Sequence, residues 1–277
     1  MNLLSVSNVK NLLERYRVRP FKGFGQNFLV SREILNKIIA AADIDPKDIV
    51  LEIGPGIGTL TQELAKKSKK VVAVEKDGKM VEILKETLQE FKNTRVTRGD
   101  ILKTGNLNLK NYKVVANLPY NITSPVIRKF LESKNPPRGM TLMIQKEVAK
   151  RICAKPPDMN LLAISVQFYS EPKILFYVSK NNFWPRPKVD GMVIKLKIKS
   201  LKLKVNKDLF FKIVKAGFSH PRKQLANNLS RELKLNKEEV KKWLSKNKID
   251  PKTRVETTTI EDWIRLTKNW SKGWYKI

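Results

Sequence analysis

Short apolar runs bounded by turn-forming residues recur over the first 200 positions, at residues 49–53, 71–74, 95–97, 114–116 and 141–144. Runs of this length, rich in Val and Ile, suit strands that are buried on both faces. Between them, apolar residues spaced three and four apart predict helices over 60–67, 79–91 and 125–133. A strand–helix–strand repeat implies parallel neighbours, because each parallel pair needs a crossover connection, and it predicts a doubly wound α/β domain. Residues 193–199 alternate apolar and basic side chains, as a half-exposed closing strand does. Leu3, Val6, Val9, Leu12 and Leu13 suit an N-terminal helix. Beyond Ser200 the texture becomes helical, over 208–218, 222–233, 237–246 and 260–269. The expected division is therefore a sheet domain over 1–200 and a small helical domain over 201–277.

Charge adds a partner to this outline. The chain has 277 residues, with 56 Lys plus Arg against 26 Asp plus Glu, a formal charge of +30 and a pI near 10.1. Such a surplus points to a polyanion, nucleic acid ahead of an acidic membrane surface. The basic density is higher in residues 201–277, with 20 Lys plus Arg against 8 Asp plus Glu. Lys-rich helices are often only solvated faces, but the whole-chain imbalance favours RNA contact. Arg222 and Lys223 in the helical domain, and Arg186 and Lys188 in a proline-rich stretch, are candidate RNA contacts.

Cys153 and His220 are the only residues of their types, which excludes an internal disulfide, a Cys/His zinc site and a Ser-His-Asp triad needing a second His. Cys153 reads as a small core residue and His220 as a surface or capping one. No run of some 18 uncharged apolar residues occurs, and residues 1–20 are broken by Lys10, Glu14, Arg15, Arg17 and Arg19. The expectation is a cytoplasmic, monomeric protein that uses no metal.

Leu51-Glu52-Ile53-Gly54-Pro55-Gly56-Ile57-Gly58-Thr59 places glycines where the first strand of the repeat turns into a helix. Glycine there permits a sharp turn and a close ligand approach. The spacing is G-x-G-x-G and not the dinucleotide G-x-G-x-x-G. An acid ends each of the next two strands, Glu75 and Asp100. A carboxylate beyond the second strand can accept from ribose hydroxyls, and Asp100 from an adenine amino group. Asp100 alone serves equally well as a helix cap. Gly54, Gly56, Glu75 and Asp100 together outline an adenosine moiety at the carboxyl ends of parallel strands.

The fourth strand ends in Asn117-Leu118-Pro119-Tyr120. An adenine N6 is a poor nucleophile because its lone pair is delocalised, so an enzyme acting on it must supply acceptors and geometry. The Asn117 side-chain oxygen and a backbone carbonyl nearby can accept the two N6 hydrogens, aiming the lone pair at a methyl sulfonium. Pro119 stiffens the loop, and Tyr120 offers a face on which an unpaired adenine stacks. An isolated N-L-P-Y is also compatible with a strand-to-helix turn and an Asn cap. Phe183, within Asn181-Asn182-Phe183-Trp184-Pro185-Arg186-Pro187-Lys188, either closes the other face of the base or packs in the core, as does Trp184.

Taken in order, these motifs resemble the small-subunit rRNA adenine N6,N6-dimethyltransferase family, which includes the kasugamycin-resistance dimethylases. Gly25-Gln26-Asn27-Phe28-Leu29 is similar to the family's N-terminal motif. Residues 51–58 resemble its cofactor loop, Asn117 to Tyr120 its catalytic loop and residues 183–190 its F-x-P-x-P-K-V-D stretch. Phe218-Ser219, Arg222-Lys223 and Asn227-Asn228-Leu229 resemble its helical-domain signature. The resemblance implies a Rossmann-like class I S-adenosylmethionine-dependent methyltransferase domain followed by a small helical RNA-binding domain. It implies that Asn27, Leu29, Gly54, Glu75, Asp100 and Asn117 line the S-adenosylmethionine site. It also implies a substrate, two adjacent adenosines in the 3′-terminal hairpin of small-subunit (16S) rRNA, each dimethylated on the immature 30S-type subunit. The chain departs from the family pattern at Ser179-Lys180-Asn181-Asn182, at His220-Pro221 and at Ala226. The erythromycin-resistance methyltransferases of large-subunit rRNA share fold and chemistry. Leu118, the F-x-P-x-P-K-V-D stretch and the C-terminal signature favour the small-subunit enzyme. A non-catalytic RNA-binding assembly factor is the reading from a different class, and the retained Asn117, Tyr120, Glu75 and Asp100 speak against it.

Overall fold

The computed structural model describes residues 1–21, 23, 25–105, 107–199 and 205–270. Helix α1 (Val6–Arg15) is capped by Ser5, which accepts from the Asn8 amide, and buries Val9, Leu12 and Leu13. A two-residue strand, β1 (Phe28–Leu29), precedes α2 (Arg32–Ala42), whose N-cap Ser31 accepts from Ile34 N at 3.3 Å. The α/β repeat then runs β2 (Ile49–Ile53), α3 (Thr59–Lys67), β3 (Lys70–Glu75), α4 (Gly78–Thr87), β4 (Thr94–Arg98), β5 (Tyr112–Asn117), α5 (Thr123–Leu131) and β6 (Gly139–Gln145). Each strand predicted in this repeat falls within an observed one. Helix α4 stops short of the expected residue 91, with Leu88 as its C-cap.

After α6 (Lys146–Ile152) and α7 (Leu161–Tyr169) the chain returns as β7 (Ser170–Val178), β8 (Phe183–Trp184) and β9 (Gly191–Ile198). The main sheet has the order β4-β3-β2-β5-β6-β9-β7. Strands β4, β3, β2, β5 and β6 are parallel, and β9 runs antiparallel to β6, with Gly191 opposite Gln145. The sheet is thus mixed. The alternating segment expected as a half-exposed strand lies inside it, between β6 and β7, where Val193 and Ile194 are both buried. Consecutive residues Val50 and Leu51 are each 0% exposed, as covering on both faces requires. One cluster joins α2 and α3 to the sheet through Leu35, Ile38, Leu64, Val50 and Val115, and another joins α1 to α4 through Leu12, Leu13, Met80 and Ile83. The order reverses direction between neighbours β2 and β5, and the crevice beyond their carboxyl ends is where open α/β sheets bind ligands.

Contact density divides the chain into two units, Met1–Ala149 with Glu171–Ile198, and Lys150–Ser170 with the described residues from Lys199 onward. The expected boundary between residues 200 and 201 lies outside the described residues. The segment 150–170, expected in the sheet domain, belongs to the helical unit, because α7 carries Phe168. Its ring packs 4.3 Å from Phe210 on α8 (Lys207–Gly217) and 5.4 Å from Phe211. Helices α9 (Leu225–Leu233), α10 (Lys237–Lys246) and α11 (Ile260–Lys268) complete this unit around buried Trp263, whose indole N–H donates to Thr258 Oγ1 at 2.9 Å. Asn228, buried, donates to the carbonyls of Gly217 and His220 at 2.8 and 2.9 Å, so part of the expected signature serves the fold. Burial pushes the Cys153 thiol up to about 11.

Candidate active site

The glycine loop leaves the end of β2 with Gly54, Gly56 and Gly58 at φ +67°, +59° and +96°, where other residues are strained. A Cβ added at Gly54 meets Pro119 Cδ at 3.5 Å, and one at Gly56 meets Phe28 at 3.3 Å. The loop is therefore a cradle that side chains would fill. Glu75, at the end of β3, shapes it from across the crevice. Its Oε2 accepts the Gly56 amide at 3.1 Å and its Oε1 the Asp77 amide at 2.9 Å. Burial holds the Glu75 carboxyl above its ordinary pKa, against these amides, which favour the charged form. Each carboxylate oxygen keeps a lone pair for a ligand hydroxyl.

Asp100, just beyond β4, is tied down on both oxygens, accepting from the Leu102 amide at 2.9 Å and pairing with Lys76 Nζ at 3.0 Å. The Lys76 ammonium, followed by the Leu102 amide, keeps its pKa low. Two hollows meet along this edge. One, with roughly 690 Å³ of atom-free space open to solvent, is lined by Asn27, Leu29, Glu52, Gly54, Gly56, Glu75, Asn117 and Pro119, among others. The other, roughly 600 Å³, holds Asp100 and Ile101 and shares Gly54, Glu75 and Pro119 with the first. Six expected cofactor residues thus border one hollow and the seventh, Asp100, borders its neighbour.

The N-P loop begins where β5 ends. Leu118 is 1% exposed and its amide donates to Met143 O at 3.0 Å, so the residue anchors the loop to β6. Asn117 Nδ2 reaches the Asn27 carbonyl at 3.5 Å, and Oδ1 has no hydrogen-bond partner among the described residues. Gly25, at φ +65°, packs so that an added Cβ falls 3.2 Å from Pro119 Cβ. The N-terminal motif thereby rests on the loop of Asn117 to Tyr120. Tyr120 is half-buried, and burial, aided by the Asp190 charge, raises its phenol pKa.

Phe183 requires a correction. Strands β1 and β8 pair antiparallel, Leu29 opposite Phe183 and Phe28 opposite Trp184. This carries the Phe183 ring into the core with Leu29, Val178 and Val193, 5% exposed, and it lines neither hollow. Packing, the alternative weighed for it, is its place. Trp184 packs against the α1 cluster, with Lys10 Nζ 5.7 Å from its ring centroid. Arg186 and Lys188 are exposed in the first unit, and Arg222 and Lys223 in the second.

Glu52 was not singled out by the motif reading. It lies on β2, 1% exposed, lines the larger hollow, and its Oε2 has no partner among the described residues. Burial pushes its carboxyl up to about 8, the charge of Glu75 adding to the effect. The available signal was an acid inside the otherwise apolar run Ile49-Val50-Leu51-Glu52-Ile53.

Residues 19–272 match the family model described as ribosomal RNA adenine dimethylase. A ribosomal RNA small subunit methyltransferase A from Dehalococcoides mccartyi is 43% identical over 267 residues, 94% of this chain and 92% of that protein. Its counterpart from Alkaliphilus metalliredigens is 46% identical over 278 residues, covering 96% and 97%. Among solved structures, a dimethyladenosine transferase from Plasmodium falciparum aligns with TM-score 0.74 and 31% identity over 86% of this chain and 95% of that one. The 23S rRNA methyltransferase ErmE aligns with the same TM-score and 26% identity over 87% and 98%. The backbone therefore resembles both solved enzymes equally. On the sequence match, which spans most of its length, the chain belongs to the ribosomal RNA adenine dimethylase family and is an rRNA adenine dimethyltransferase.

Proposed function

We propose that this enzyme takes methyl groups from S-adenosylmethionine and dimethylates N6 of two adjacent adenosines in the 3′-terminal hairpin of small-subunit rRNA. It acts as a cytoplasmic monomer on the immature subunit. The observation that carries this reading is that Asn117, Gly54, Gly56 and Glu75 border a single hollow. Its glycine walls fit a ligand packed against backbone, since a Cβ at Gly56 would already press on Phe28. Glu75 is placed to hold ribose hydroxyls and Asp100 an adenine amino group, while Asn27, Leu29 and Gly54 complete the walls. S-adenosylmethionine supplies an electrophilic methyl group when bound.

The remaining work falls to the protein. In the first transfer Asn117 Oδ1 and the Leu118 carbonyl accept the two N6 hydrogens, and in the second one of them accepts the single hydrogen left. This draws the nitrogen lone pair out of ring conjugation and fixes its direction, and the proton released with each methyl transfer passes to solvent. Tyr120 supplies the stacking face for the unpaired base. Pro119, held against Gly25, keeps the carbonyl in place. Arg186, Lys188, Arg222 and Lys223, all exposed, are the cations this reading assigns to phosphates, giving register without base specificity.

Nucleoside mass spectrometry of unmethylated small subunits and, in parallel, unmethylated large subunits, each incubated with the protein and S-adenosylmethionine, tests the reading, with Asn117→Ala as control. Dimethyladenosine mapped to the 3′-terminal hairpin is the expected result. Its appearance only in large subunits would overturn the substrate assignment.

A further inference from the structure

The carboxyl edge that carries Asn117 continues across β6 and β9 to β7, and at its far end stands an aromatic residue with no part in the site above. Tyr177 is 48% exposed, and Val189, just before β9, is 42% exposed. Lys146 Nζ lies 5.6 Å from the Tyr177 ring centroid. Asp190 organises the group. Its Oδ1 accepts the Lys180 amide and its carbonyl the Lys146 amide, each at 3.0 Å. Its carboxylate also faces the Tyr177 hydroxyl and raises the phenol's pKa. Lys180 in turn reaches the Lys188 carbonyl with Nζ at 3.5 Å. The next residue, Gly191, is where the catalytic loop arrives, a Cβ built there falling 3.8 Å from Tyr120 Oη.

An exposed ring costs apolar surface unless something covers it, and here the surroundings state what that partner must be. Lys146 stands over the ring, the Asp190 carboxylate beside the ring's hydroxyl is occupied by the Lys180 amide, and Arg186 and Lys188 are exposed in the same connection between β7 and β9. A flat apolar face set among cations complements a nucleotide, whose base stacks while its phosphate pairs. Three strand spacings separate β7 from β5, on the order of 14 Å along the edge. That is too far for the target base and within reach of nucleotides beside it.

Resting on the functional reading above, we infer that Tyr177 and Lys146 form a stacking subsite for an unpaired nucleotide flanking the target adenosine, positioning the RNA strand across the carboxyl edge. Tyr177 takes the base and Lys146 the adjacent phosphate. The subsite favours single-stranded over paired RNA, because a base inside a duplex has no free face to offer.

The test uses the full-length protein, unmethylated small subunits and S-adenosylmethionine. Tyr177→Ala is expected to raise KM for the RNA substrate about tenfold, with cofactor Kd unaltered. Tyr177→Phe is expected to stay within about twofold of wild type in KM, because the ring remains. Lys146→Gln is expected to lower the slope of log affinity against log salt by about 1. An unchanged KM in Tyr177→Ala, with wild type active, overturns the subsite alone. Equal damage in Tyr177→Phe and Tyr177→Ala also overturns it, assigning the effect to the hydroxyl facing Asp190. A wild-type protein that transfers no methyl group to rRNA overturns the parent reading instead.

Discussion

Replacing Glu52 by glutamine should stabilise the protein at neutral and alkaline pH and do little in mild acid. The carboxyl sits on β2, 1% exposed, with one oxygen lacking a partner, and burial raises its pKa from the ordinary 4.5 to about 8. In the unfolded chain it ionises near 4.5, so between that pH and about 8 the folded protein holds a proton that the unfolded chain has lost. Stability from this group is therefore complete below about 4.5 and drains away as pH rises towards about 8. At about 1.4 kcal/mol per pH unit the loss amounts to roughly 5 kcal/mol, an upper figure because water can enter the neighbouring hollow. Glutamine keeps the shape of the neutral acid and cannot ionise. Thermal denaturation of both proteins at a series of pH values from 5 to about 9, without cofactor, measures the difference directly. The wild-type melting temperature should fall relative to Glu52→Gln by several degrees, up to about 10–20 °C at about 2–4 °C per kcal/mol for a unit of this size. Taking the difference between the two proteins cancels the titration of every group not coupled to Glu52, which leaves Glu52 and its neighbour Glu75. Parallel profiles over that range would refute the claim that Glu52 is buried as a neutral acid.

Three further outcomes follow from the geometry. Asn117→Ala should lower kcat at least about a hundredfold while calorimetric cofactor affinity changes little, since Gly54, Gly56 and Glu75 remain; a small fall in kcat would contradict the orienting role. Gly25→Ala combines a left-handed backbone with a Cβ 3.2 Å from Pro119, and should cost about 1–2 kcal/mol of stability and a larger factor in transfer rate, read by melting temperature and single-turnover kinetics. RNA affinity should fall by about a thousandfold or more between 50 and 200 mM salt if six or more phosphates are engaged; a flat response in a filter-binding titration would contradict phosphate-dominated binding by a chain of charge +30.

Much of the molecule is legible in local pattern. The runs at 49–53 and 114–116 are strands because they are short, β-branched and flanked by turn residues, and helices α3, α5 and α8 to α11 follow apolar spacing. Gly54, Gly56, Glu75 and Asn117 are readable as a site because a ligand-binding loop must place small and acidic residues at strand ends. Helix α2 is equally legible, with Ser31 as its cap and Ile34, Leu35, Ile38 and Ile39 on one face. These features share one physical basis. Propensity, capping and burial period act over a few residues and leave their mark in the residues themselves.

Features that depend on partners far along the chain carry no such mark. Leu29 meets Phe183 across two-residue strands, too short for any alternation to show, and that pairing decides that the Phe183 ring packs inward. Likewise β9 enters between β6 and β7, and α7 joins the helical unit through Phe168 and Phe210, because burial rewards the face that is filled and not the nearest neighbour in sequence. The pKa of Glu52 belongs to the same class. By itself the sequence determined which elements form and which residues can do the chemistry; the tertiary structure decided which faces meet, and with them which side chains lie in the core and which border the site, because side-chain burial and electrostatic environment depend on contacts between segments distant in the chain.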